Sequence, residues 1–548
     1  MAIHDISDAP ATSTRATATS TRATAEAAFT PLPASLTAGL VRQLTAQVAG
    51  SGTAPTVTTR APFNGEVIAE LPQCTPDDVT AAAARARVAQ RRWAAVPVRE
   101  RAAVFLRLHD LVLEERERLM DLIQTENGKA RRDAFLEVGD IAATCRYYAR
   151  TAPSLLAPRR RGGLIPGVTS VQELHHPKGI VTVISPWNYP LSLGAGDTIP
   201  ALLAGNAVVQ KADNQTALTA LFALDLARRA GLPDDVWQIV LGRGSAIGTP
   251  LFDIADYVMF TGSTESGRHV AAEAATRLVD CSLELGGKNA MLVLGDADLN
   301  RAAEGAVRAC FSSSGQLCIS IERLYVAAEI YDEFMERFLA QLDALRLGAS
   351  YDFTCQMGSL TSAEQVEVTD AAVRDAVVHG AEVLAGGRAR PDLGPYFYEP
   401  TVLTAVGPDA RCFAEETFGP VVSVYRFDND NEAIAAANAS RYGLNASVWS
   451  RSGARGRAVA AQLHAGTVNV NEAYAAAWGS MDAPMGGMGD SGLGRRHGDR
   501  GLLKYTESQT IARQRLMNLA PPVEQLGDAG FAAVVTVFLK VLKWTGRK

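Results

Sequence analysis

The 548-residue sequence lacks the features that mark several large classes of protein. It has no apolar run of the ~20 residues that span a bilayer, and its N-terminus lacks the charged-then-apolar layout of a secretory signal. Its seven cysteines are scattered, with no C-x-x-C pair and no histidine cluster nearby, which argues against a disulfide framework and against a metal site. A formal charge of −6 gives no reason to expect nucleic acid as a partner. We therefore predict a soluble, cytoplasmic protein that binds no metal.

The N-terminal 34 residues have few large apolar side chains, and the heptapeptide Thr-Ser-Thr-Arg-Ala-Thr-Ala occurs twice in residues 12–25. An Arg- and Ser-rich, acid-poor leader is typical of organelle transit peptides. A segment of this composition also buries too little apolar surface to offset its ordering entropy. We interpret residues 1–34 as a disordered tail.

The remaining length is more than one hydrophobic core usually supports, and its patterns predict mixed α/β structure. Thr75-Pro76-Asp77-Asp78 has the capping residue, proline and acids of a helix start, and residues 100–123 have the apolar period of one long helix. After Gly179, strands alternate with helices in two series, which predicts parallel sheets with covered faces. The predicted strands lie at 180–184, 207–211, 237–241, 257–260, 291–294, 323–326 and 421–426.

Two short motifs carry the strongest chemical signal. Glu284-Leu285-Gly286-Gly287-Lys288 supplies a carboxylate beside two glycines, and Gly315-Gln316-Leu317-Cys318 supplies a thiol. Cysteine is strongly nucleophilic, and covalent catalysis needs a base or a lowered pKa beside it. Glu284 is the candidate base if the fold brings it close to Cys318. The alternative interpretation is a surface acid at a turn and a buried structural cysteine.

With these two motifs the chain resembles the aldehyde dehydrogenase superfamily, whose members have a general-base glutamate in E-L-G-G-K and a nucleophilic cysteine in G-Q-x-C. The resemblance covers roughly residues 57–514. It implies an α/β, aldehyde dehydrogenase-like fold of two open parallel-sheet domains and a small oligomerisation arm. On that pattern we expect a cofactor-binding domain in 35–152 and 174–286, a catalytic domain in 287–483, the arm in 153–173 and 496–515, and a C-terminal extension in 516–548.

The resemblance also implies roles for residues outside the two motifs. The Asn188 side chain, in Pro186-Trp187-Asn188, would stabilise the oxyanion together with the Cys318 N–H, and a lost donor of this kind costs ~3 kcal/mol. A strand running into the glycine-rich turn Thr261-Gly262-Ser263 suits a pyrophosphate at a helix N-terminus. Expected coenzyme-binding residues are Trp187, Lys211, Asn214, Thr261, Gly262, Ser263, Glu416 and Phe418.

The coenzyme is predicted to be NADP or NAD, with NADP slightly favoured. Lys211 corresponds to the lysine of the family's K-P-S-E string, where the glutamate binds the ribose hydroxyls of NAD. Here Asn214 replaces that glutamate, which removes the charge that repels the 2′-phosphate of NADP. Asp213 adjoins it and keeps NAD open as an alternative.

The substrate is predicted to be succinate semialdehyde, because residues 484–498 resemble that branch of the family in actinobacteria. A substrate with a carboxylate should meet an arginine, and Arg146 is one candidate, since the resemblance places it on a helix that lines the substrate tunnel. The alternative interpretation is a solvated helix arginine. Apolar residues from Phe531 to Leu542 recur at helical spacing beside several lysines, which predicts an amphipathic helix. If that helix lies on a membrane surface, long-chain aliphatic or aromatic aldehydes become the alternative substrates.

We expect a homodimer or homotetramer. The rival from another enzyme class is a cofactor-free thiol hydrolase that uses Cys318 and Glu284. It leaves Lys211 and Glu416 without a role. A non-enzymatic binding protein would leave the whole set of site residues unexplained.

Overall fold

The computed structural model describes residues 30–163, 169–515 and 527–546, and the repeated heptapeptide lies outside them. Within these residues the helices alternate with strands along most of the chain. Three short 3-10 turns lie at Asn214–Thr216, Ser312–Gly315 and Ala328–Ile330. The helices are α1 (Ala38–Thr45), α2 (Pro76–Ala95), α3 (Val98–Glu114), α4 (Arg116–Asn127), α5 (Arg131–Leu155), α6 (Pro190–Leu203), α7 (Ala217–Arg229), α8 (Gly244–Asp253), α9 (Thr264–Thr276), α10 (Leu299–Phe311), α11 (Tyr331–Asp343), α12 (Ala363–Val378), α13 (Arg411–Ala414), α14 (Asp430–Asn438), α15 (Gly453–Ala460), α16 (Ala475–Trp478), α17 (Gly498–Leu503) and α18 (Gly527–Trp544).

The strands include each segment that the sequence patterns predicted after Gly179, with ends that differ by no more than a few residues. They are β1 (Val57–Arg60), β2 (Val67–Leu71), β3 (Arg159–Arg161), β4 (Thr169–Pro177), β5 (Ile180–Ile184), β6 (Ala207–Lys211), β7 (Trp237–Val240), β8 (Tyr257–Thr261), β9 (Asp280–Glu284), β10 (Asn289–Val293), β11 (Ile321–Ala327), β12 (Glu382–Ala385), β13 (Thr401–Thr404), β14 (Val421–Phe427), β15 (Tyr442–Gly443), β16 (Asn445–Trp449), β17 (Thr467–Val470), β18 (Met488–Gly489), β19 (Gly492–Leu493) and β20 (Thr506–Gln514).

The larger strands form two open, mainly parallel sheets. One sheet has the order β19-β9-β8-β5-β6-β7 and is parallel except for the β19 edge. The other has the order β12-β13-β14-β11-β10-β16-β17 and is parallel except for the β12 edge. The inner strands are buried almost throughout, as parallel strands covered by helices on both faces must be. The predicted fold of two parallel sheets is confirmed.

The predicted start of α2 is confirmed, whereas the prediction of one helix over residues 100–123 is wrong. Thr75 accepts from the Asp78 N–H, and Asp78 accepts from the Thr75 N–H at 2.8 Å, which completes a capping box. The predicted long helix divides at Glu115 into α3 and α4. Glu115 is bound by Arg118 and by Arg229 of α7, so the break coincides with a tertiary contact and has no glycine or proline to mark it in the sequence.

A three-stranded antiparallel sheet of order β20-β4-β3 joins the two segments that the sequence assigned to an arm. β20 pairs with β4 from Thr506–Pro177 to Gln514–Thr169. Residues 153–155 differ from the prediction, since they complete α5.

The chain ends also differ in part from the sequence predictions. Leu32 and Leu36 pack against the core, so residues 30–34 are not part of a disordered tail. The amphipathic helix α18 is present, and none of its residues is buried. Among the described residues, none of the helices has both the length and the apolar character needed to cross a bilayer.

Candidate active site

The carboxyl ends of the parallel strands bring several predicted residues to one edge of the six-stranded sheet. Lys211 ends β6, Thr261 ends β8 and Glu284 ends β9. Thr261 and Glu284 are direct pairing partners. Asn188 follows β5, which lies between β6 and β8. Ligands of open parallel sheets bind at this edge because the loops diverge there.

A cavity of about 260 Å³ opens at this edge, and Cys318 reaches it from the loop that leads into β11 of the other sheet. Both predicted motifs therefore contribute to one site between the two sheets. The predicted residues that line the cavity are Trp187, Asn188, Thr261, Gly262, Ser263, Glu284, Cys318, Glu416 and Phe418.

The segment after Glu284 holds the Cys318 loop directly. The Asn289 side chain donates to the Cys318 carbonyl at 2.8 Å and to the Ser320 carbonyl at 2.7 Å. A Cβ on Gly287 would lie 2.9 Å from the same Cys318 carbonyl, so the backbone can approach only because this residue is glycine. The Glu284 motif therefore supports the loop that carries Cys318, and it also places a carboxylate at the cavity.

The turn before Cys318 has an unusual backbone. Ser313 and Ser314 have φ of 50° and 56°, a region that residues with a Cβ rarely adopt. The Ser313 N–H donates to Asp133 at 2.8 Å, and the Ser314 hydroxyl donates to the Gly358 carbonyl at 2.9 Å. These contacts hold the turn in its strained form, which fixes the position of the cysteine that follows.

Glu284 has the environment of a general base. Its side chain is buried, and Oε1 has no hydrogen-bond partner among the described residues. Burial raises the pKa of Glu284 to about 7, and the nearby Arg496 is the leading influence in the opposite direction. A carboxyl with a pKa near neutrality can accept a proton and return it at physiological pH.

The Cys318 thiol is not activated in this arrangement. The pKa of Cys318 is raised to about 12, mainly by burial and also by the Glu416 and Glu284 carboxyls, against the opposing effect of Arg496. At neutral pH the thiol is therefore protonated and needs a base to take its proton. Glu284 shares the cavity, and its pKa near neutrality leaves a carboxylate available to take that proton.

Asn188 is held where its amide can serve the same cavity. The Asn188 side chain is buried, and Nδ2 donates to the Gln316 carbonyl at 3.0 Å, two residues before Cys318. An amide nitrogen carries two hydrogens, so one donor remains for an oxyanion beside the thiol. The predicted position of Asn188 near the nucleophile is thus present in the fold.

The segment Glu416-Thr417-Phe418 lies at the other side of the cavity and is fixed by a buried ion pair. Glu322 accepts from the Thr417 and Phe418 N–H groups and pairs with Lys288 at 2.5 Å. The Phe418 ring meets the Trp187 ring edge-on at 5.6 Å. Burial raises the pKa of Glu416 to about 8, and Glu416 accepts from the Gly287 N–H at 2.9 Å.

The turn after β8 opens helix α9, as the sequence predicted. Ser263 caps the helix by accepting from the Ser266 N–H at 3.2 Å, while the remaining N–H groups of the first turn face outward from the helix end. The Thr261 hydroxyl is buried without a partner among the described residues. A helix N-terminus with this surplus of donors attracts phosphate.

Comparison with known proteins agrees with this geometry. A model of the aldehyde dehydrogenase family matches residues 49–511. The chain belongs to the aldehyde dehydrogenase family. It is an oxidoreductase that acts on aldehydes with NAD(P).

Individual aldehyde dehydrogenases are similar over most of their length. A Mycolicibacterium smegmatis protein with the provisional name succinate-semialdehyde dehydrogenase [NADP(+)] is 53% identical over 88% of this chain and 94% of its own. A Mycobacterium tuberculosis protein with the same kind of provisional name is 52% identical over 90% of this chain and 95% of its own. The structure of betaine aldehyde dehydrogenase from Staphylococcus aureus in complex with NAD+ has a TM-score of 0.82 and 31% identity, with 89% of this chain and 99% of that chain covered.

The residues of the cavity fit the nicotinamide coenzyme of this dehydrogenase family. The Thr261 hydroxyl is buried without a partner among the described residues and can bind a polar group of the coenzyme. A Cβ on Gly286 would lie 2.2 Å from the Glu416 carboxyl, so only a glycine lets that carboxyl approach the backbone here. Trp187 and Phe418 supply flat apolar surface for a nicotinamide ring.

Lys211 and Asn214 lie next to the cavity without lining it. Lys211 ends β6 half-buried, beside the last residue of β5. The Asn214 and Gln73 amides form a reciprocal pair, at 3.1 Å and 3.4 Å. An uncharged pair stands where the family pattern has a glutamate, in agreement with the predicted tolerance of NADP.

Arg146 is not brought into the cavity. It is exposed on α5 and is absent from the residues that line the site. The structure therefore gives no direct support to Arg146 as the partner of a substrate carboxylate.

Sequence reasoning missed a buried ion pair that supports the oxyanion residue. Lys129 and Glu137 are fully buried and 2.7 Å apart. Lys129 also donates to the Asn188 carbonyl at 2.6 Å and lies over the Tyr189 ring, while Glu137 accepts from the Leu191 N–H at 2.9 Å. A lysine at the end of a polar Asn-Gly-Lys turn gives no signal of burial, so the sequence alone offers no way to find it.

Proposed function

We propose that this aldehyde dehydrogenase oxidises succinate semialdehyde to succinate through a thioester on Cys318. The observation that carries the proposal is that Cys318, Glu284 and Asn188 line one cavity together with the coenzyme-side residues Glu416 and Phe418. A cofactor-free thiol hydrolase would have no use for Glu416 and Phe418.

In the first step Glu284 takes the Cys318 proton, directly or through water, and the sulfur adds to the aldehyde carbon. The negative charge that develops on the carbonyl oxygen meets the Asn188 amide and the Cys318 N–H. The buried surroundings strengthen both hydrogen bonds because competing water is excluded.

The coenzyme supplies the hydride acceptor, and the resulting thioester must be hydrolysed. Glu284, once it has returned the first proton to bulk water, removes a proton from the water that attacks the thioester carbon. The C–S bond then breaks, the Cys318 sulfur leaves as the thiolate, and the carboxylic acid is the product. A base whose pKa is about 7 suits both proton transfers.

The substrate assignment is supported by the provisional names of the mycobacterial relatives. We further propose that NADP is the preferred coenzyme, supported by the uncharged Asn214–Gln73 pair and by those names. The test is an aldehyde panel with each coenzyme in turn, read by the absorbance of the reduced nicotinamide. Succinate semialdehyde with NADP should give the highest kcat/KM. A value at least about tenfold higher with another aldehyde would refute the substrate assignment.

One observation favours a second substrate class. The residues that line the described cavity include no Arg, Lys or His, so none of them can pair with a substrate carboxylate. Neutral aliphatic or aromatic aldehydes are therefore the alternative, and octanal and benzaldehyde belong in the same panel. Arg146→Ala adds a direct control, since it should raise KM for succinate semialdehyde alone if that residue guides the acid into the site.

We also propose that the β20-β4-β3 arm mediates a homodimer or homotetramer. β20 is an exposed edge strand of nine residues, and an unpaired edge of this length is a ready site for pairing with a second copy. Light scattering after size exclusion should give a multiple of the 58.1 kDa chain mass.

A further inference from the structure

A compact group of buried charges lies beside the catalytic base. Arg496 donates to Asp197, and Lys504 is 3.9 Å from the same carboxyl. The exposed fractions of these three side chains are 12%, 3% and 10%. Charges are rarely buried to this degree unless they are paired, and the pairing here involves two cations and one acid. One positive charge is therefore left to act on other groups.

The chain path places Arg496 next to Glu284. The Arg496 backbone pairs with Met485 through hydrogen bonds of 2.8 Å and 2.9 Å. The next residue, Gly486, lies against the base, since a Cβ there would be 3.0 Å from Glu284 Oε1. β9, which carries Glu284, also pairs with β19 a few residues before Arg496. The same short segment thus contacts the base and carries the cation.

Both the base and the cation have hydrogen-bonding capacity that the described residues do not use. Glu284 Oε1 and Arg496 Nε are buried without partners. A small cavity of about 10 Å³, lined by Arg496, Asp197, Ser192 and His497, lies around the guanidinium. A volume of this size is near the limit for one water molecule. Arg496, Asp197 and Lys504 are therefore closely packed, and solvent screens their charges poorly.

We propose that Arg496, anchored by Asp197, is a positioning residue that supplies the positive charge needed by the ionised forms of Glu284 and Cys318 during the reaction. The proposal deepens the proposed function and depends on its assignment of these two residues. Arg496 is the leading cation acting on each of them, and it opposes the burial that raises both pKa values. The charge acts through space on two residues that touch the substrate, and Arg496 itself has no reacting atom.

Other titratable groups lie around this cluster, and the sign of each charge affects the pKa shift expected in a variant. Burial raises the pKa of Asp140 to about 7 and lowers the pKa of His497 to about 3, so His497 stays neutral under assay conditions. The further groups that interact with Glu284, Cys318 or Arg496 are Tyr148, Asp197, Glu416, Arg495, Lys504 and Tyr505. Arg496 is the cation that most lowers the pKa of both Glu284 and Cys318.

The test uses two variants with opposite expected signs. Arg496→Gln removes the cation, so the pKa of Glu284 and of the Cys318 thiol should rise, and the acid limb of the kcat/KM profile should move to higher pH. Asp197→Asn removes the acid and should move the same limb to lower pH. Each shift should be roughly half a pH unit or more, which is about threefold in rate on the acid limb.

A second readout does not depend on turnover. The rate at which iodoacetamide alkylates Cys318, followed by mass spectrometry of its peptide at constant pH, reports the thiolate fraction. It should fall in Arg496→Gln and rise in Asp197→Asn. Arg500→Gln changes an exposed arginine on the adjacent α17 and serves as the matched control, with both readouts unchanged. Arg496→Lys should restore most of each shift.

A purely structural role would give a different pattern. Both variants would then lose thermal stability and activity, while the pH limb and the alkylation rate stayed at wild-type positions, and that result would overturn the proposal. The double variant Asp197→Asn/Arg496→Gln removes one charge of each sign, leaves Lys504 as the remaining buried cation of the cluster, and should show a smaller shift than Arg496→Gln alone. If succinate semialdehyde proves to be the wrong substrate, the shifts remain measurable with any aldehyde that is turned over, so the two failures are distinguishable.

Discussion

Asn188 shows how a single residue combines support and chemistry. One amide hydrogen is used on the Gln316 carbonyl at 3.0 Å, and the other is available to the substrate oxygen. Asn188→Ala should therefore lower kcat by about two to three orders of magnitude, as for a lost oxyanion donor. Thermal unfolding checks the structural part of the effect. A variant with normal kcat would show that the oxyanion is stabilised elsewhere.

Asn214 provides a prediction for coenzyme choice. Restoring a carboxylate with Asn214→Glu should favour the ribose hydroxyls of NAD and repel the 2′-phosphate of NADP. We expect kcat/KM with NADP to fall by at least about tenfold, with a smaller change for NAD. Gln73→Ala removes the amide partner without adding charge and is the control. Equal losses with both coenzymes would contradict the assignment.

At this scale the sequence motifs predicted which residues share the cavity. Cys318 and Glu284 were chosen as candidate nucleophile and base because covalent catalysis restricts the residue types, and both line the cavity. Arg496 was not recognised, because an arginine in a glycine-rich stretch carries no sign of burial or of the acid it will meet. Arg146 was chosen for its charge and for the position of its helix in the family, and the fold leaves it exposed on α5.

Among the elements, the loop after β5 depends on charges that come from α5 and the turn before it. Lys129 and Glu137 form a fully buried pair that fixes the Asn188 and Leu191 backbone. Lys129→Met should lower the free energy of unfolding by about 3–5 kcal/mol, because Glu137 is left buried without its partner. Urea denaturation measures this loss.

A double variant separates the charge from the packing. Lys129→Met/Glu137→Gln removes both charges while an amide oxygen can still accept from the Leu191 N–H. It should recover a large part of the stability lost by Lys129→Met. No recovery would mean that Lys129 acts mainly through its contact with the Tyr189 ring.

Element type could be predicted from the sequence where periodicity is strong and local. β5 and β6 have the predicted bounds. β5 is a continuous β-branched run, β6 is a short buried run with two valines, and turn residues flank both. The break between α3 and α4 could not be predicted, because its partner Arg229 lies more than a hundred residues away. The capping box of α2 was predictable because all its atoms lie within four residues.

For the molecule as a whole, α18 contributes no buried residue to the described fold. A chain that ends at Gln525 should keep kcat/KM within about twofold of the full chain, since surface changes away from packed features have small effects. Liposome co-sedimentation of both chains tests the membrane alternative. Equal binding is expected, and stronger binding of the full chain would favour a membrane-surface role and long-chain aldehydes.

The two sheets explain why the site forms only in the complete fold. The base ends a strand of one sheet, the nucleophile precedes a strand of the other, and Asn289 connects the two motifs through its bonds to the Cys318 and Ser320 carbonyls. The resemblance to a family predicted this arrangement, whereas strand patterns alone predicted two sheets without their relative placement.

The central claim is that Cys318 carries the acyl group and Glu284 releases it. The most direct measurement is mass spectrometry of the Glu284→Gln variant, quenched after mixing with succinate semialdehyde and NADP. We predict that the variant forms a succinyl group on the Cys318 peptide slowly, because the thiol has lost the same base, and then retains it, while the wild-type chain, quenched in the same way, shows little. Reduction of coenzyme without any acyl group on Cys318 in the variant would contradict the account.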